Sequence, residues 1–179
     1  LFLIQGFQVA ASRYRVLQYL PFIQGAGIGT EVVQFPARMS GWASLYDRLK
    51  TADTVFVQRK RLPLPILMLL KRLGKRIIYD FDDAVMFKNS LAENPYSTRR
   101  RLSFRRMLKY TDLVIAGNAF LREEAEKYHG KVQVLPTPVD AGRYLPKAYP
   151  EKYVVNIGWI GDHGSIHYME SYRDVWEEI

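Results

Sequence analysis

The 179-residue chain contains no cysteine. That excludes a disulfide scaffold, thiolate metal sites and a cysteine nucleophile, and it fits a reducing cytosol. No apolar run approaches the ~18–20 residues that a membrane-spanning helix needs. The longest, Leu62–Leu70, is short and carries Pro63 and Pro65. No secretory core opens the sequence. The spacing G-x-G-x-x-G is missing, so a dinucleotide fingerprint has no support. No helix-turn-helix, ribonucleoprotein or finger signature accompanies the positive charge, so nucleic acid is not an expected partner. Three histidines, His129, His163 and His167, have no carboxylate at metalloprotease spacing, and no metal is assigned to the chain.

Acidic residues are also scarce, 18 against 26 Lys and Arg, for a formal charge of +8. The imbalance is uneven: residues 1–150 carry a net +12 and residues 151–179 a net −4. A shift of that size beside Pro146–Pro150 reads as a domain boundary. Domains are therefore expected at 1–149 and 150–179. The chain opens at Leu1 inside an apolar run and closes at Ile179 inside a helical pattern. It is accordingly expected to be a piece of a longer protein, with 150–179 the opening of a second domain.

Short apolar runs recur at Leu1–Gln5, Glu31–Phe35, Thr54–Gln58, Arg76–Asp80, Leu113–Ala116, Val132–Leu135 and Tyr153–Trp159. Most are continuous rather than alternating, as in parallel strands covered on both faces. Helical stretches separate them. Ser12 is placed to cap a helix through Ile23, Pro63 or Pro65 to open one stopped by Gly74, and Asn118 to cap 119–128. This alternation predicts an α/β fold with a doubly wound parallel sheet. In such a sheet chemistry gathers at the carboxyl ends of the strands.

Asp80, Asp82 and Asp83 place three carboxylates in four residues at one strand end. They suit orientation or deprotonation of a hydroxyl. They equally suit a loop whose aspartates cap and pair with Arg59, Lys60 and Arg61, the commoner case. Gly6 to Ser12 forms a small-residue stretch before a helix start, where an anion can be held. Arg13 and Arg15 then fall in a first turn, unfavourable for cations unless an anion lies nearby. Arg99–Lys109 holds six cations and no acid, with Arg99, Arg101, Arg105, Arg106 and Lys109 on one side and Phe104, Met107 and Leu108 on the other. That face fits an anionic membrane surface, or simply a solvated helix face.

Taken in order, 12–20, 55–60, 77–85 (Ile-Ile-Tyr-Asp-Phe-Asp-Asp-Ala-Val), 112–118, 134–140 (Val-Leu-Pro-Thr-Pro-Val-Asp) and 157–161 resemble the amino-terminal half of a group 1 (family 4) glycosyltransferase of the GT-B type. The resemblance implies a Rossmann-like acceptor-side domain facing a second, donor-binding one. It implies transfer of a sugar from a UDP- or GDP-sugar to an acceptor hydroxyl, with retention, in cell-envelope or polysaccharide biosynthesis, and with no cofactor. The acceptor would be a sugar or lipid-linked, and the enzyme cytoplasmic or peripheral on the inner membrane face. Asp82 and Asp83 are the catalytic candidates. Gln58, Arg59, Asp80 and Asn118 are placed on the acceptor side. Gly6, Ser12, Arg13, Arg15, Gly158 and Gly161 are placed on the donor side. The family's paired glutamates lie further downstream, so these residues alone are expected to be inactive. The competing reading is a non-catalytic Rossmann-like module that binds an anionic lipid or polymer.

Overall fold

The structure is a computed structural model that describes residues 1–89, 91–143, 158–159 and 166–178. Contacts divide the chain into two units, Leu1–Asp140 and Ala141–Ile179.

Six strands build the first unit: β1 (Phe2–Ile4), β2 (Val32–Gln34), β3 (Thr54–Gln58), β4 (Arg76–Phe81), β5 (Leu113–Ala116) and β6 (Val132–Val134). All neighbours pair in parallel, in the order β2-β1-β3-β4-β5-β6. The chain steps to one side of β1 to make β2 and to the other side for every later strand. Right-handed crossovers then put the first connection on one face and the later ones on the opposite face. The fold is the α/β, doubly wound type, and its strand order reverses between β1 and β3.

The side chains of each strand divide accordingly. Leu3, Val55, Val57, Ile77, Tyr79, Phe81, Val114 and Ala116 point into one continuous core. The helices α3 (Met39–Ser44), α4 (Tyr46–Thr51), α5 (Leu64–Arg72), α6 (Thr98–Tyr110) and α7 (Ala119–Glu126) contribute Trp42, Leu49, Leu67, Leu70, Phe104, Met107 and Leu121 to it. Tyr79, Phe81 and Phe104 stack at its centre, with Phe81–Phe104 edge-on at 5.3 Å, a geometry worth about 0.5–1.5 kcal/mol beyond burial. The other face is only partly covered: Phe2, Phe56, Ile78 and Ile115 stay half-buried. That differs from strands covered on both faces. The fully buried strand positions of this second face are Ile4 at the end of β1 and two polar groups, Gln58 and Asp80, paired in register at the ends of β3 and β4.

Local signals explain most helix ends. Asn118 caps α7 by accepting from Leu121 N–H at 2.9 Å, and Gly74 leaves α5 in a left-handed conformation (φ 67°). The stretch expected as one helix from Ser12 to Ile23 is three pieces. These are α1 (Ala10–Arg15), a 3₁₀ turn (Leu17–Tyr19) and α2 (Leu20–Gly25). Val16 leaves helical geometry (φ −131°), and Pro21, which has no N–H to give, sits at the new start. In the second unit, α8 (Ile166–Glu170) and α9 (Arg173–Glu177) are short helices, with Val175 and Trp176 exposed. Of the expected strand at 153–159 only Gly158 and Trp159 are among the described residues, and Gly161 and His163 lie outside them.

Candidate functional site

The carboxyl edge of β1, β3 and β4 gathers most of the residues singled out from the sequence. The ends of β3 and β4 place Gln58 beside Asp80. Helix α1 covers both. Ser12, wholly buried, donates its hydroxyl to Gln58 Oε1 at 2.8 Å, and the Gln5 N–H donates to the same oxygen at 3.2 Å. Arg15 forms a two-pronged ion pair with Asp80, its Nε on Oδ2 at 3.1 Å and its Nη2 on Oδ1. Arg15 Nη1 then donates to the Leu135 carbonyl at 2.6 Å and to Thr137 Oγ1 at 3.3 Å. One guanidinium thus ties β4, α1 and the segment after β6 together.

Three expectations are corrected here. Ser12 is not a cap: α1 begins at Ala10 with Val9 before it, and Ser12 lies within the helix. Arg13 and Arg15 occupy its last turn, where cations are favoured, so no external anion is needed to explain them. Arg13 is exposed, over the ring of Tyr14. Finally, the aspartates are not compensated by Arg59, Lys60 and Arg61 together. Arg15 serves Asp80 and Arg59 pairs with Asp83, while Lys60 and Arg61 pair with neither.

Arg59 itself is held in an unusual conformation. Its φ of 58° is the one positive value at a non-glycine among the described residues. The Gln58 carbonyl accepts from Lys60 N–H across it, which makes a tight three-residue turn. Arg59 N–H donates to the Asp80 carbonyl at 2.6 Å, and Tyr79 donates its hydroxyl to the Arg59 carbonyl at 2.9 Å. Burial pushes the Tyr79 phenol far above its ordinary pKa, so it keeps the proton it donates. Such strain persists only where neighbours fix it from several sides, and it clusters at functional sites. A sequence without glycine at this position gives no sign of it.

Two atoms in the cluster are buried without a hydrogen-bond partner among the described residues, Gln58 Nε2 and Asp82 Oδ1. One is a donor and one an acceptor. An unmet buried group costs about 1–3 kcal/mol, so a native fold keeps few of them. Asp82 is held by close packing. A Cβ on Gly117 would lie 2.9 Å from Asp82 Cα, and the Gly117 N–H donates to the Phe81 carbonyl at 2.9 Å. Only glycine lets the ends of β4 and β5 approach this closely.

Charge tuning follows burial. The Asp80 carboxyl is pushed up by burial and by nearby Asp82, against the pull of Arg15. Burial opposes the charge on Arg15, but Asp80 outweighs it and holds the guanidinium more firmly protonated.

The remaining candidates are dispersed. Gly6 follows β1 and packs near Val9 and Gln34, and Asn118 spends its amide oxygen on the α7 cap. Gly158 is exposed in the second unit. Among the described residues no group of three His, Asp or Glu side chains could hold a metal ion, and no helix is long and apolar enough to cross a membrane. The exposed face of α6 carries Arg99, Arg101, Arg105, Arg106 and Lys109 around exposed Leu102, while Phe104, Met107 and Leu108 are buried.

No protein-family model and no curated protein matches the chain. Among solved structures it is similar to a crystal structure of Anabaena Alr3699/HepE in complex with UDP and glucose. The identity is 14% and the TM-score 0.47, over 80% of this chain and 45% of that one. The chain therefore spans less than half the length of that structure.

Proposed function

We propose that the first unit is the acceptor-side domain of a glycosyltransferase, and that the carboxyl edge of β1, β3 and β4 receives the sugar hydroxyl to be glycosylated. The observation that carries this reading is the pair of atoms at that edge that are buried with no hydrogen-bond partner among the described residues, Gln58 Nε2 and Asp82 Oδ1. A hydroxyl can both accept from an amide N–H and donate to a carboxylate, so one polyol ligand satisfies both. The sequence resemblance supports the same reading.

In the reaction proposed, Asp82 or Asp83 contacts the acceptor hydroxyl. The acceptor O–C1 bond forms while the bond from C1 to the diphosphate oxygen breaks. The electron pair leaves with the nucleoside diphosphate, and the hydroxyl proton goes to a carboxylate or to the departing phosphate. Stabilising that leaving group takes cations or backbone N–H groups on the donor side, which belong to a second βα domain whose opening would be residues 150–179. On the donor side the proposed small residues are Gly6 in the first unit and, taken separately, Gly158 and Gly161 of the sequence after it. A UDP- or GDP-sugar is the proposed donor, retention the proposed stereochemistry, and polysaccharide or cell-envelope synthesis the proposed setting. These 179 residues alone are proposed to be inactive.

Ligand-observed NMR with UDP- and GDP-sugars and free hexoses tests this. Hexose binding that disappears in Asp82→Asn, with unfolding unchanged, supports the reading; failure of every sugar to bind contradicts it. One observation favours a second reading, a module that docks on anionic surfaces: the α6 face of five cations around Leu102. Sedimentation with phosphatidylglycerol vesicles separates the two. Binding lost on Arg105/Arg106→Ala and on adding salt, without sugar binding, would favour the module.

A further inference from the structure

Beyond the ends of β2 and β3 the chain forms a cavity of about 240 Å³ whose lining includes Phe35, Pro36, Arg38, Trp42, Lys60 and Arg61. Its aromatic side is firm: Phe35 and Trp42 are core residues with their rings edge-on at 6.3 Å. Its wall is close-packed as well. A Cβ on Gly41 would meet Pro36 Cβ at 2.8 Å, so α3 lies against Pro36 with no room for a methyl group.

The lining holds three cations and no acid. None of the three is in an ion pair among the described residues, whereas Arg15, Arg48, Arg59, Lys71, Arg122 and Lys127 all are. Lys60 Nζ stands 5.5 Å from the centre of the Phe35 ring. Arg61 is half-buried and donates from Nη1 to the carbonyls of Val85 (2.7 Å) and Arg100 (3.3 Å). Burial lowers its pKa, and the charge of nearby Arg100 lowers it further. A partly desolvated guanidinium beside another cation is an unfavourable arrangement that a bound anion would relieve. A guanidinium fork also matches the geometry of carboxylate and phosphate oxygens.

We propose that this cavity binds an oxyanion group, phosphate or carboxylate, carried by the sugar acceptor, with Arg38, Lys60 and Arg61 as counter-charges and the Phe35–Trp42 side against the ligand's carbon skeleton. The inference rests on the acceptor-side reading and names the class of acceptor, an acidic or phosphorylated sugar. The strained turn at Arg59 is what connects the two places. It sends Arg59 toward Asp83 and Gln5, and Lys60 toward Phe35. The volume lies below the ~300–1,000 Å³ of pockets for drug-sized ligands and suits a single sugar-sized group.

Calorimetry with glucose, glucuronate and glucose 6-phosphate, alongside the Trp42 indole signal in NMR, tests the proposal. Glucuronate or glucose 6-phosphate is expected to bind at least about tenfold tighter than glucose and to move the Trp42 signal. Which of the two wins tells carboxylate from phosphate. Lys60→Gln and Arg38→Gln, both at exposed positions, should each reduce that advantage about three- to tenfold without changing the unfolding temperature, and added salt should reduce it too. Equal affinities for charged and neutral sugars, or variants that leave the advantage intact, would overturn the inference. Neutral hexose binding that still depends on Asp82, with no gain from the anion, would end this inference and leave the transferase reading standing. If no sugar binds, both fail.

Discussion

Asp80 and Asp82 lie two residues apart at the end of β4, yet their surroundings are opposite. Asp80 is met on both oxygens by Arg15, itself buried, and the pair is anchored further to Leu135 and Thr137. Asp82 keeps a buried oxygen with no partner among the described residues. The cations repeat the contrast: Arg15 has a carboxylate, and half-buried Arg61 has carbonyls. Closed pairs at this edge hold the fold together. The open groups add nothing to it that a neutral side chain could not, and for that reason they are the ones assigned to a ligand.

The sharpest way to break the comparison is to open the closed pair. Asp80→Ala strands a buried guanidinium and should lower unfolding stability by about 3–5 kcal/mol in urea titration, while an apolar replacement of both partners should recover most of that loss. Asp82→Asn, by contrast, should leave the urea midpoint nearly unchanged. Next comes the contact that positions Asp82. Gly117→Ala forces a methyl against the Asp82 backbone and should cost about 1–3 kcal/mol, with amide shifts in NMR centred on residues 81–83.

Smaller effects sharpen the picture. Ser12→Ala removes the buried hydrogen bond to Gln58 and should cost about 1 kcal/mol, read as a lower melting temperature. Arg59→Gly relieves the positive φ, and the gain of about 1 kcal/mol should offset the loss of the exposed Asp83 pair. Its unfolding midpoint should therefore stay near that of the parent. A pH-dependent effect is expected at the opposite edge of the sheet. Asp112 accepts from Lys71 and from the Ile77 N–H, and these outweigh its partial burial and hold its carboxyl below the ordinary 3.8. A carboxylate of lowered pKa stabilises the fold at neutral pH, and that contribution is lost as acid protonates it. Asp112→Asn should thus flatten the fall in stability from about pH 4 downward.

Much of this architecture was legible in the residues. Apolar, β-branched runs marked the six strands described, and the Pro63/Pro65 pair, Gly74 and Asn118 marked helix ends, because these signals act over a few neighbouring residues. The division of α6 into basic and apolar faces followed from helical periodicity alone. What misled was any residue whose partner is distant. Ser12 looked like a cap from its neighbours, but its hydroxyl goes to Gln58, 46 positions away. Arg15 looked like an anion seeker, and its anion proved to be Asp80, 65 positions away. The stretch between β2 and β3 carries little helical signal, because α3 and α4 are six residues each and α3 contains Gly41. In sequence, Lys60 and Arg61 stand beside Arg59 as if all three could pair with the aspartates after β4. Nothing local says that the chain turns at Arg59 and carries those cations elsewhere.

The division between closed and open carboxylates is tested by setting Asp80→Asn beside Asp82→Asn in one experiment, with thermal unfolding and NMR-detected hexose binding measured on both. Asp80→Asn is expected to lose stability, and Asp82→Asn to melt with the parent protein and no longer bind. If Asp82→Asn unfolds early, or binds sugar as well as the parent does, the open carboxylate belongs to the fold and the ligand site lies elsewhere.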